Sequence, residues 1–162
     1  MSYPDPVYFG ESGEVSATAR RADAPPDLTY RNGGTVDYLA TGATTDGGLG
    51  LYRWNFGTGR SGPDPHFHRT ISEYFFILSG TVKLFEGSEW VDAHPGDFFN
   101  VPPGGIHGFR NESGEPASML LMFTPGAPRE EYFEPLTALG EGLTMTDEER
   151  DTFYLRHDNY WV

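Results

Sequence analysis

Short apolar stretches separated by turn residues run through the middle of the chain. Eight of them are rich in β-branched and aromatic residues: 35–39, 49–56, 74–78, 81–85, 90–92, 97–101, 108–110 and 117–124. Between them stand Asp46-Gly47-Gly48, Ser79-Gly80, Glu86-Gly87, His94-Pro95-Gly96, Pro102-Pro103-Gly104-Gly105 and Asn111-Glu112-Ser113-Gly114. Gly supplies positive φ and Pro a fixed φ, which tight turns need. The pattern therefore predicts an all-β body of short antiparallel strands, a sandwich or barrel. Ser79-Gly80 between two apolar runs predicts a hairpin. Alternation along the third run sets Glu73, Phe75 and Ile77 on one face, and Phe109 shares the face of His107.

After residue 126 the pattern changes. Arg129 to Leu139 predicts a short helix interrupted near Pro135, since proline removes an internal hydrogen bond. Thr146-Asp147-Glu148-Glu149 is a capping box, with Thr at the N-cap and Glu three residues on, and it opens a helix to about His157. Residues 1–26 are rich in Pro, Gly, Ser and charge and read as an arm packed on the body or on a partner subunit. The expected organisation is an N-terminal arm (1–26), a β-body (27–126) and a C-terminal helical extension (127–162). The arm and the apolar end Tyr160-Trp161-Val162 offer cover for a neighbour, so a homodimer is expected.

Composition narrows the partners. Gly at 21 and Pro at 13 of 162 residues argue against a helical bundle. Eleven basic against 24 acidic residues give a net charge of −13, and Lys83 is the one lysine. Without a basic stripe, nucleic acid and anionic membranes are excluded as partners. No run approaches the roughly 18 apolar residues of a spanning helix. The absence of cysteine excludes disulfides, a thiolate nucleophile and a cysteine-type zinc site. The opening MSYPDPVYFGESGE has neither a basic nor an apolar stretch, which predicts no signal peptide and a cytoplasmic location.

The candidate chemistry lies between residues 57 and 111. His66 and His68 in His-Phe-His project from one face if the segment is extended. Glu73 follows after the chain turns, and His107 must come from another strand. Three imidazoles and one carboxylate suit one divalent first-row metal (Mn, Fe, Co, Ni, Cu or Zn) and are a poor match for Ca or Mg. Three of five histidines could equally be surface or hydrogen-bonded core residues, and a His-x-His pair alone leaves that choice open.

The surrounding punctuation favours the metal. Gly96-x5-Pro102-x-Gly104-x2-His107-x3-Asn111 resembles the second conserved motif of the cupin superfamily at every fixed position. His66-x-His68-x4-Glu73-x6-Gly80 resembles the first, and fifteen residues separate Gly80 from Gly96, like the short spacing of microbial cupins. One departure stands out: the leading glycine of the first motif would fall at Arg60, flanked by Gly59 and Gly62.

That resemblance implies a double-stranded β-helix, a jelly-roll cupin barrel with the metal inside and one mouth open to substrate. Likeness to quercetinase-type cupins implies a dioxygenase that takes O2 and an aromatic, flavonol-like or polyketide-like substrate. His66, His68, Glu73 and His107 would then hold the metal, with Glu73 also the catalytic base. Three alternatives stay open: a non-oxidative cyclase, isomerase or hydratase of polyketide-like carbonyl compounds, an oxalate-type decarboxylase, and a cupin that binds a small molecule without catalysis. Phe75, Ile77 and Phe109 are either core or the apolar wall of a substrate pocket. Arg53 is either exposed or turned into the barrel to hold a substrate anion.

Overall fold

The structure, a computed structural model, describes residues 2–140 and 142–162. Eleven strands and two helices follow one another along the described chain: β1 (Leu28–Thr29), β2 (Thr35–Ala40), β3 (Gly50–Phe56), β4 (His66–Phe67), β5 (Ser72–Ser79), β6 (Val82–Phe85), β7 (Trp90–Ala93), β8 (Phe98–Val101), β9 (Gly108–Arg110), β10 (Ala117–Thr124), α1 (Glu130–Gly140), α2 (Asp147–Arg156) and β11 (Tyr160–Trp161). A six-stranded antiparallel sheet runs β1-β2-β3-β10-β5-β8. A three-stranded sheet, β7-β6-β9, and a two-stranded ribbon, β11-β4, complete the jelly roll.

Alternation builds the core. Along β10, Ala117, Met119, Leu121 and Phe123 are buried, while the residues between them are half-buried on the outer face. Tyr52 and Phe56 of β3 and Phe75 and Ile77 of β5 join them from the large sheet. Val82, Leu84 and Phe109 come from the small one. Apolar surface removed from water in this way is worth roughly 25 cal/mol per Å², and it fixes the register of every strand.

All eight expected strands form, with ends within two residues of the pattern. The Ser79-Gly80 turn joins β5 to β6, but not as the expected hairpin: the chain crosses there from the six-stranded sheet to the three-stranded one, with Gly80 at φ +69°. A side chain there would meet Ala117, its Cβ lying 2.8 Å from the Ala117 Cα. Position 62, rather than 60, carries the glycine requirement before the first motif: Gly62 has φ +131°, and a Cβ on it would lie 2.0 Å from the Phe109 carbonyl oxygen.

The C-terminal extension differs from expectation in two ways. Helix α1 runs through Pro135 without a break. One missing backbone bond is outweighed by the burial of Tyr132 and Phe133 against the barrel, with Leu136 packed beside them. The apolar tail forms a strand that the sequence pattern does not predict: β11 pairs with β4, Tyr160 stacks on Phe67, and Trp161 packs on the His66 ring. Strand β11 was invisible to local pattern because two residues carry no periodicity.

Asn111 ends the second motif as a loop clamp. It is fully buried, and its side-chain amide donates to the carbonyls of Gly57 and Glu115. Its oxygen accepts from the Ser113 amide and hydroxyl. Asn111→Ala strips partners from several buried groups at once and should cost about 2–4 kcal/mol. Urea unfolding checks this: a lower midpoint at unchanged m-value is expected, and an unchanged midpoint would contradict it.

Candidate metal centre

Strands β4 and β5, the turn after β4 and the segment before β9 bring four side chains together inside the barrel. His66 and His107 face each other across an isolated antiparallel bridge, each amide donating to the other's carbonyl at 2.8 Å. His68 lies just beyond β4, and its carbonyl accepts from the Gly104 amide at 2.7 Å. Glu73, the second residue of β5, shares the inner face with Phe75 and Ile77. All four residues are buried, and one ligand atom from each lies within 4.8 Å of the others.

The proton positions follow from the acceptors. His66 Nδ1 is 2.9 Å from the Asp64 carbonyl, His68 Nδ1 is 2.7 Å from the Asp158 carbonyl, and His107 Nδ1 is 2.9 Å from the Gly105 carbonyl. A carbonyl oxygen can only accept, so all three Nδ1 atoms carry hydrogen and donate. In the neutral rings every Nε2 is then a lone pair aimed inward. The Nε2 atoms of His68 and His107 lie 2.9 and 2.7 Å from Glu73 Oε2, itself an acceptor. Acceptors this close need a cation between them. The donor set therefore fits a divalent transition metal, whose histidine ligands are oriented through hydrogen bonds on the other ring nitrogen.

The electrostatics agree. Burial, reinforced by the neighbouring His107, holds the His66 pKa down to about 3, so this ring stays neutral. Burial alone would raise Glu73, but His107 and His68 outweigh it and hold the carboxyl well below its ordinary value. Burial disfavours a charge on His107, yet the field and hydrogen bond of Glu73 win, and its pKa is raised. The Glu73 carboxylate thus favours a proton on His107 when no metal is bound.

A cavity of about 930 Å³ opens beside Glu73. Its walls include Trp54, Phe109, Leu121, Phe123, Tyr132 and Phe133. Of the residues expected to line a pocket, Phe109 does so. Phe75 and Ile77 are core residues that do not line this cavity, because each two-residue step along β5 carries the chain away from Glu73 at the mouth. Arg53 does not line the cavity either. It sits on the outer face of β3, beside Asp37 in register, and its Nε donates to the Asp37 carboxylate at 2.7 Å. Strand alternation with the inward Tyr52 sends it away from the barrel.

Sequence reasoning missed two residues here. Asp158, at positive φ beyond α2, orients His68 through its carbonyl, while its carboxylate accepts from the Arg69 and Thr70 amides. Arg129 is buried in the cavity wall, 4% exposed. The signal for it was faint: it is the one basic residue between Arg110 and Arg150, placed directly after a core strand but followed by two glutamates that suggest a surface.

Residues 52–123 match the family model of the cupin domain, and the barrel they build has the jelly-roll fold of that domain. Quercetin 2,3-dioxygenase from Bacillus subtilis (strain 168) is 30% identical over 70 residues, covering 43% of this chain and 19% of that protein. Germin-like protein subfamily 2 member 1 from Arabidopsis thaliana is 30% identical over 128 residues, covering 70% of this chain and 58% of that protein. The chain thus spans less than three fifths of either relative. The structure of KdgF from Halomonas sp. superposes with a TM-score of 0.59 over 70% of this chain and 97% of that one, at 17% identity, a likeness of fold.

Metal uptake must displace the proton on His107. Near about pH 6, binding should release about one proton per metal, and the release should fade as pH rises beyond the raised His107 pKa. Affinity accordingly climbs with pH and then levels off. Calorimetry in buffers of different ionisation enthalpy reads this directly; a binding heat independent of buffer at the lower pH would contradict it.

Proposed function

We propose that this cupin is a metal-dependent enzyme, a dioxygenase acting on an aromatic, flavonol-like or polyketide-like substrate. The observation that carries this reading is the position of Glu73. It is both a candidate metal ligand and part of the wall of a large aromatic cavity. A substrate stacked there meets the carboxylate and the metal position together. The likeness to Quercetin 2,3-dioxygenase over 70 residues supports the choice of chemistry.

His66, His68, Glu73 and His107 would hold the metal. When bound, it supplies Lewis-acid activation of a substrate oxygen and a route for electrons to O2. The chain's own residues do the rest. Trp54, Phe109 and Phe123 offer flat apolar surface that orients a ring and excludes water. Glu73 accepts the proton of an acidic substrate hydroxyl. Its low basicity suits this task, because a nearby divalent cation lowers the pKa of that hydroxyl to match. The three Nδ1 bonds hold the imidazoles still throughout, so the geometry needs no rearrangement when substrate enters.

Oxygen uptake by metal-loaded protein with a flavonol such as quercetin tests the reading. Uptake dependent on both metal and substrate is expected. Glu73→Gln, with its metal content checked, should lower kcat by roughly 10²–10⁴. Substrate consumption without oxygen uptake would instead assign a non-oxidative cyclase or isomerase, and an unchanged kcat in the variant would remove Glu73 as the base.

A further inference from the structure

Arg129 is a buried cation with an unfinished set of hydrogen bonds. A guanidinium carries five N–H donors in a fixed plane. Nη1 donates to the His157 carbonyl at 2.8 Å and to Asn159 Oδ1 at 3.3 Å, and Nη2 donates to Asn159 Oδ1 at 3.3 Å. Nε is buried and has no partner. Three of five donors are thereby used, leaving Nε–H and the Nη2–H beside it. These two lie side by side on one edge of the plane, the fork that matches the two oxygens of a carboxylate.

The surroundings hold this fork in place. Asn159 is 1% exposed, and its amide nitrogen donates to the Tyr132 hydroxyl at 2.9 Å. The guanidinium carbon sits 5.0, 4.4 and 5.6 Å from the ring centres of Phe123, Tyr132 and Phe133. Among the described residues no carboxylate comes within 4.0 Å of Arg129, whereas Arg53, Arg60 and Arg110 of the barrel each have an acidic neighbour. Glu73 shares the cavity but is already engaged by His68 and His107. The remaining charged wall residues, Arg31, Asp64, Arg150 and Asp151, are exposed, two of each sign, and offset one another. A buried cation without a counter-charge is costly, and a ligand anion relieves that cost.

We propose that Arg129 is a carboxylate-binding residue and that the cavity's ligand is an aromatic acid, its carboxylate seated on the free Nε–Nη2 edge and its rings against the aromatic wall. Size decides the class. A cavity of about 930 Å³ is far larger than a two-carbon diacid needs and matches a ligand of several rings. This reading deepens the proposed function and rests on taking this cavity as the substrate site.

Calorimetric titration of the metal-loaded protein with 2-naphthoate and with its uncharged amide, 2-naphthamide, tests it. The acid should bind at least tenfold more tightly than the amide. Arg129→Gln should erase that preference, and a cooperative thermal transition of the variant shows that it is folded. Arg129→Lys should restore part of it, keeping the charge and losing the fork. In the unmodified protein, the Arg129 Nε–H proton resonance should move downfield with naphthoate and stay put with the amide. Repeating the titrations on metal-stripped protein separates the two proposals. A preference lost in Arg129→Gln supports the inference whether or not the metal centre exists. Equal affinities in the parent, or a preference retained in Arg129→Gln, would overturn it and leave the metal centre untouched.

Discussion

Three hydrogen bonds from imidazole Nδ1 atoms to backbone carbonyls set everything else in this site. They fix one tautomer on each of His66, His68 and His107 and turn three Nε2 lone pairs toward Glu73. The acceptors of these bonds, at Asp64, Gly105 and Asp158, are main-chain groups, so the tautomers are specified by the fold itself. A cluster of acceptors at this separation is electrostatically incomplete, and burial away from water sharpens the deficit. A cation is the missing component, either a proton on His107 or a metal shared by all four residues.

The fold holds the three carbonyls by different means. Asp64 and Gly105 each lie two residues before the histidine they orient, so those bonds are local. The bond to His68 is long-range and depends on the C-terminal strap. The capped helix α2 is followed by Asp158, whose carboxylate clamps the turn at Arg69 and Thr70 while β11 pairs with β4. The same strap carries Asn159, which positions Arg129. One short terminal segment thus couples metal-ligand geometry to the cation in the cavity wall. Opening of that segment would loosen both ends of the site together.

The barrel was legible in the sequence because its information is local. Eight runs of alternating residues between Gly- and Pro-rich turns define strands, and the spacing of His66, His68, Glu73 and His107 marks the metal site. Alternation alone placed Glu73 inward. It could not say how far along the barrel a residue lies, which is why Phe75 and Ile77 pack beneath the site and not along the cavity. Arg53 is assigned to the outer face only once the register against Asp37 is known. Arg129, Asp158 and β11 were hidden for one reason. Their roles depend on contacts between residues 28 to 95 positions apart, and no local periodicity records them.

The central claim is that one metal sits among three Nε2 atoms and the Glu73 carboxylate. Anomalous diffraction at the absorption edge of the loaded metal tests it most directly. The account predicts a single strong peak per chain, within bonding distance of Nε2 of His66, His68 and His107 and of a Glu73 oxygen. A peak on the Nδ1 side of any of these rings, or no peak at this position in protein equilibrated with metal, would contradict it.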